Sequence, residues 1–162
     1  AEMLDSTVDS VNSALKRARA SLRHRLPPPD DREPAPASES PSEHAIVAKF
    51  VSAWESADLD ALVALLTDDV FISMPPMPFE YEGRDVGVRF CASLFRARRR
   101  FDLVPTRANG QPAFGAYLRA ATGIRNGIGL YVLTLTGDRI CAMTRFENSV
   151  LPWFGLPRSL PG

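Results

Sequence analysis

Residues 26 to 42 read Leu-Pro-Pro-Pro-Asp-Asp-Arg-Glu-Pro-Ala-Pro-Ala-Ser-Glu-Ser-Pro-Ser, and a chain with such a stretch near its amino end does not fold as one continuous body. Each proline fixes φ and removes a backbone donor, so neither a helix interior nor a sheet ladder can run through the segment. It also has almost no apolar surface to bury against anything else. The composition predicts a semi-stiff, polyproline-type linker. It divides the sequence into a short amino-terminal element over 1–25, a folded domain over 43–150 and a carboxy-terminal tail over 151–162.

The charges balance: 19 Lys and Arg against 19 Asp and Glu in 162 residues. The whole chain therefore has no net pull towards nucleic acid or membrane, but the distribution is uneven. Lys16, Arg17, Arg19, Arg23 and Arg25 come with no acid among them, whereas the linker carries Asp30, Asp31, Glu33 and Glu39. A basic stripe within a neutral chain is a more specific signal than a high overall pI. Cys91 and Cys141 stand in apolar contexts and read as buried small hydrophobes rather than a disulfide, which fits a reducing, cytoplasmic setting. No apolar run is long enough to span a bilayer, and no secretory segment opens the chain. The sequence starts without Met and in mid-pattern, so a piece of a longer protein is expected.

Val8, Val11, Leu15, Ala18 and Leu22 recur at steps of three and four and predict an amphipathic helix. Thr7 is a good N-cap for it, at the end of the turn cluster Asp5-Ser6-Thr7. Ala1 to Leu4 then reads as the last turn of a preceding helix. A helix end, a short turn and a second helix with a polar and then basic face is the helix-turn-helix pattern.

Past the linker, residues 43–66 predict two helices. Ile46, Val47, Phe50, Val51 and Trp54 face the core from the first; Asp58-Leu59-Asp60 restarts the second, with Leu62, Val63, Leu65 and Leu66 inward. Val70–Met74 and Phe79–Glu82 read as short strands, and Asp85–Phe95 as a helix. Strands are then expected over Phe101–Ala108, Ala113–Ala121, Gly127–Thr136 and Arg139–Glu147, with Asn126-Gly127 and Thr136-Gly137-Asp138 as turn signals. Helices first and then a run of antiparallel strands is an α+β layer arrangement.

That order over residues 43–148 resembles the SnoaL-like branch of the nuclear-transport-factor fold. The resemblance rests on Trp54-Glu-Ser-Ala-Asp-Leu-Asp-Ala-Leu62, Leu66-Thr-Asp-Asp-Val70 and Tyr81-Glu-Gly-Arg-Asp85. It implies three helices against a curved, mostly antiparallel sheet, forming a cone with a cavity for a small ligand. The amino-terminal segment, with Val11, Ser13, Leu15, Arg17, Ala18 and Arg19 in register, resembles the end of the fourth domain of extracytoplasmic-function (ECF) sigma factors. Ala14 departs from that pattern, where the family often has Arg. Ala108–Ala113 and Phe154–Arg158 resemble a subgroup that carries a SnoaL-like domain behind the fourth domain. The combination implies a transcription-initiation protein whose partners are promoter DNA and core RNA polymerase, with sigma domains regulated in cis by the cone.

On that resemblance, Asp9, Ser10, Asn12 and Ser13 are expected to face bases and Lys16, Arg17 and Arg19 to grip phosphates. The plain alternative is a solvated surface helix. Without the first helix of the motif, this chain alone is expected to bind promoter DNA weakly or not at all. Trp54, Tyr81, Arg107, Asn109, Tyr117, Tyr131 and Arg145 are the candidates for a polar cavity in the cone. Strand alternation puts Arg107 and Asn109 on one face, where an Arg would favour an anionic or carbonyl ligand. The alternative is an outward, solvated Arg with core aromatics.

His24 and His44 have no metal-ligand company, so neither a metal nor a cofactor is expected. Enzymes of this fold use an Asp base and a hydrogen-bonded oxyanion. Here Glu147 is nearly the only acid on the late strands, and Asp68 and Asp69 read as a helix-to-strand turn, so catalysis is not expected. Two other readings compete: a small-molecule isomerase or cyclase, for which a buried Asp beside a hydrogen-bonded Tyr would speak, and a dimerisation module, for which an exposed apolar sheet face would speak.

Overall fold

The computed structural model describes residues 32–96 and 99–161. The helix-turn-helix expected over 1–25 and the first part of the linker lie outside them. The compact folded unit begins at Pro34. Its elements are α1 (Pro41–Ser56), α2 (Leu59–Ala64), β1 (Leu66–Ser73), β2 (Glu80–Glu82), α3 (Arg84–Phe95), β3 (Phe101–Ala108), β4 (Gln111–Arg119), β5 (Arg125–Thr136), β6 (Arg139–Phe146), a 3-10 helix (Asn148–Phe154) and β7 (Ser159–Leu160). This is the α+β cone architecture: helices packed on one mixed sheet, with strand order β2-β1-β6-β5-β4-β3 and β7 added against β5. Among the described residues only β1 and β6 pair in parallel; the other pairings are antiparallel. Register shifts between Ala116 and Tyr117 and between Thr134 and Leu135 interrupt the central ladders, and such bulges bend and twist a sheet.

Local chemistry sets the boundaries. Pro41 opens α1, where a missing N–H costs nothing. The Ser40 side chain accepts from Glu43 N, and Ala57 closes the helix in the left-handed region at φ 57. Residues 41–42 therefore belong to α1 rather than to the linker. Asp58 caps α2 by accepting from Ala61 N. Leu66, expected on that helix, is instead the first residue of β1, paired with Ile140 of β6, because α2 ends at Ala64. Asn109 (φ 51) and Gly110 (φ 76) form a two-residue hairpin turn closed by Ala108 opposite Gln111, the backbone that Asn-Gly favours. β4 thus begins two residues before Ala113.

The sheet buries both faces. On its helix side Ile46, Phe50 and Trp54 of α1 and Leu62 of α2 pack with Ile72, Phe114, Tyr131, Leu133, Ile140 and Met143. On the other side Ala113, Leu130 and Val132 pack against Leu151 and Leu156. The carboxy-terminal stretch is thus part of the fold rather than a tail. Tyr117 Oη donates to Pro157 O at 2.7 Å, and Gly127 N donates to Arg158 O at 2.8 Å. Gly127, expected to open its strand at a turn signal, sits inside β5, which begins at Arg125. A Cβ there would lie 2.5 Å from Leu151 Cδ1 and 3.0 Å from Arg158 O. Over β4 and β5 the outer sheet face, whose exposure would have marked a dimerisation module, is covered by the chain's own segment.

The far end of the linker is also attached. Gly137 N donates to Pro34 O at 3.1 Å. Arg107 donates to Ser38 Oγ at 2.6 Å and to the Glu43 carboxylate at 2.7 Å and 3.2 Å.

Candidate functional site

The sheet's helix side leaves a cavity of about 260 Å³ between α3 and the ends of the strands. Met74, Phe90, Leu94, Phe101, Leu118 and Ile128 supply its apolar wall, and Arg99, Tyr131 and Arg145 its polar groups. Phe90 and Leu94 reach it because they stand one turn apart on α3. Tyr131 and Arg145 reach it because they are paired across β5 and β6.

Tyr131 is 1% exposed, and Trp54 closes the space behind it with ring centroids 5.1 Å apart and planes at 64°. Its hydroxyl is buried with only the Arg145 guanidinium close by, a group that cannot accept, so the phenol proton has no acceptor; Trp54 Nε1 is likewise buried without one. Buried polar atoms are nearly always paired, so such an orphan needs an explanation. Burial pushes the Tyr131 phenol up to about 12, and the nearby Arg145 guanidinium pulls it back only in part. The phenol therefore stays protonated at neutral pH and keeps a proton to donate. Arg145 donates to Ile128 O at 2.7 Å, which fixes the guanidinium at the cavity wall. Arg99 is exposed and has no acidic partner among the described residues. No carboxylate stands in the lining.

The other residues expected here go elsewhere. Trp54 forms the floor behind Tyr131 instead of the lining. Tyr81 packs on Phe90, with centroids 5.4 Å apart, and so supports the wall from outside. Tyr117 lies on the opposite face of the sheet, under the carboxy-terminal segment. Asn109 is an exposed turn residue. Arg107 is tied to Glu43 and Ser38 at the other end of β3. Strand alternation assigns the face correctly only within the strand, and Asn109 is past its end. Glu147, the acid considered for catalysis, is exposed at the start of the 3-10 helix. Asp68 lies in β1 and pairs with Arg84 at 2.8 Å. Among the described residues no group of His, Cys, Asp and Glu is arranged to hold a metal ion, and no helix is long and apolar enough to cross a membrane.

Sequence reasoning missed Arg99. Its signal was the run Arg96-Ala-Arg-Arg-Arg100 between α3 and β3, the densest basic stretch of the chain. It also missed Glu43, which is 3% exposed and pairs with Arg107 at the far end of β3. A second, larger depression of about 630 Å³, bordered by Lys49, Asp58, Asp138 and Arg139, is open to solvent outside α1 and α2. It contains none of the buried unpaired polar atoms.

Comparison with known proteins agrees with this geometry. The SnoaL-like domain family matches residues 47–148. The ECF RNA polymerase sigma factor SigG of Mycobacterium tuberculosis is 34% identical over 99% of this chain, which corresponds to 43% of SigG. The chain thus spans less than half the length of the curated relatives it matches. Among solved structures, an NTF2-like protein from Mesorhizobium loti superposes with a TM-score of 0.55 at 23% identity, over 69% of this chain and 95% of the other. An LEH-like epoxide hydrolase from M. tuberculosis superposes with a TM-score of 0.53 at 18% identity, over 67% and 84%. At those identities the likeness is one of fold.

Proposed function

This chain belongs to the SnoaL-like domain family, and from that premise we propose that it is the C-terminal region of an ECF-type sigma factor, in which the cone regulates transcription initiation in cis. One observation carries the reading. The 34% identity to SigG runs over 99% of the chain, well beyond the 47–148 core that the SnoaL-like family accounts for. A free-standing cone enzyme has no need of the basic amphipathic segment or the proline linker. In this reading Asp9, Ser10, Asn12 and Ser13 meet base edges, Lys16, Arg17 and Arg19 meet phosphates, and the longer protein binds core RNA polymerase and promoter DNA in the cytoplasm. The cone shifts the sigma domains between closed and polymerase-competent arrangements. A ligand in its cavity acts only through a difference in affinity for the two.

The cone is read as non-catalytic. The cavity pairs a protonated tyrosine with arginines and supplies no carboxylate to take a proton, whereas proton abstraction needs a base within reach of the substrate. The second reading, an isomerase or cyclase, draws on the Tyr131 hydroxyl, whose proton has no acceptor, as a hydrogen-bond donor to a developing oxyanion. It lacks the base.

Promoter-directed transcription by the longer protein, with and without residues 34–162, tests the proposal. Regulation in cis requires the two to differ in promoter activity. Equal activity removes the regulatory role, and failure of Lys16, Arg17 and Arg19 alanine variants to weaken promoter binding removes the DNA-reading role.

A further inference from the structure

We infer that the cone cavity is a receptor site for a small anionic amphiphile: an acid head held by Arg99, Arg145 and the Tyr131 hydroxyl, with an aliphatic or aryl tail against Phe90, Leu94 and Met74. The wall is apolar except for two cations and one neutral donor, and no acid in the lining neutralises those cations. Arg145 is fixed by Ile128 O at 2.7 Å, and Tyr131 is 1% exposed with no acceptor for its hydroxyl proton. A buried donor without an acceptor, beside guanidinium groups, is matched by a carboxylate or sulfonate oxygen, which accepts from both kinds of donor. A neutral polyketide or steroid would leave Arg99 unused. A cation would meet like charge.

The size agrees. A cavity of about 260 Å³ holds on the order of nine waters at roughly 30 Å³ each, which suits an acid of about ten non-hydrogen atoms. Octanoate is such a molecule. Its carboxylate would sit at the Arg99 and Arg145 end and its chain along the α3 wall.

The inference deepens the reading of the cone as a ligand-responsive regulator, but its test reads the cavity alone. Binding to the 162-residue chain is followed by calorimetry and by shifts in the resonances of the cavity residues, with octanoate, hexanoate, 1-octanol and octylammonium as probes. Octanoate should bind about tenfold more tightly than 1-octanol, from charge-assisted hydrogen bonding. Hexanoate should bind about fifteenfold more weakly than octanoate, at roughly fourfold for each of the two methylenes it lacks. Octylammonium should not bind.

Arg99→Gln should weaken octanoate about fivefold without lowering the melting temperature, because Arg99 is exposed and forms no ion pair among the described residues. Tyr131→Phe should weaken it by a similar factor. Equal affinity for octanoate and 1-octanol overturns the inference, as does no octanoate binding or binding that ignores both substitutions. A transcriptional effect of the cone that persists while octanoate fails to bind would remove the ligand and leave the regulatory role standing.

Discussion

Glu43, at the start of α1, and Arg107, near the end of β3, form an ion pair at 2.7 Å in which the carboxylate is buried and the guanidinium is half-exposed. The hydrogen bond from Arg107 holds the Glu43 carboxyl below its ordinary 4.5, against the opposing effect of burial, and a backbone bond from Glu39 N assists. Because the folded-state pKa is depressed, the pair's contribution is complete above pH 4.5 and is lost as the pH falls through the lower folded value. Wild type and Glu43→Gln should therefore differ most in urea midpoint at neutral pH and converge in acid. A difference that stays constant from pH 7 to pH 3 would disprove the linkage.

Arg107→Ala should cost about 2 kcal/mol, since it leaves a buried carboxylate without its partner. It should also release Ser38, whose Oγ accepts from the same guanidinium. Faster amide exchange over residues 34–40, with little change at β5, is the expected signature.

Tyr131→Phe is expected to stabilise the unliganded cone by about 1 kcal/mol. The hydroxyl is buried and its proton has no acceptor, and removing such a group relieves a desolvation penalty while leaving the ring packing on Trp54 in place. Stability gained at the expense of ligand affinity is the pattern of a site residue. A lower melting temperature would mean that the hydroxyl serves the fold.

Leu151→Ala should cost about 3 kcal/mol, because Leu151 is wholly buried on the outer face of the sheet. Removing residues 148–162 should do more, uncovering Ala113, Tyr117, Leu130 and Val132 together. Sedimentation should then show association or aggregation of the shortened chain.

Cys91 is buried on α3, and burial pushes its thiol up to about 12. Cys141 is also buried, and its thiol donates to Thr134 O at 3.4 Å. Both should resist alkylation at pH 8 in the folded chain and react at once in urea, because the thiolate is the reactive form. Rapid native labelling of Cys91 would contradict its placement.

Much of this architecture was legible in the sequence because hydrophobic period and turn chemistry agreed. Ile46, Phe50 and Trp54 mark the buried face of α1, and the strands from Phe101 to Phe146 were legible to within a few residues. Misreadings arose where a distant contact outweighed a local signal. Asn126-Gly127 has turn chemistry, yet β5 already runs through it from Arg125, and the glycine makes room for Leu151. Pro152, Pro157 and Pro161 suggest a loose end, yet Tyr117 and Arg125 bind the carbonyls of Pro157 and Pro161. The site was harder still. Tyr131 and Arg145 were visible as polar residues on apolar strands. By contrast, Arg107 has its partner 64 residues away in Glu43, and no periodicity reports that distance.

The segment from Asn148 to Leu156 follows every strand that it shields. A ribosome making this protein must therefore finish β4 and β5 before their apolar backs have any cover. For that interval the nascent domain offers neighbouring polypeptides a sticky surface that the mature one has closed, so chaperone demand should rise as β4 and β5 emerge and end when Leu151 and Leu156 arrive.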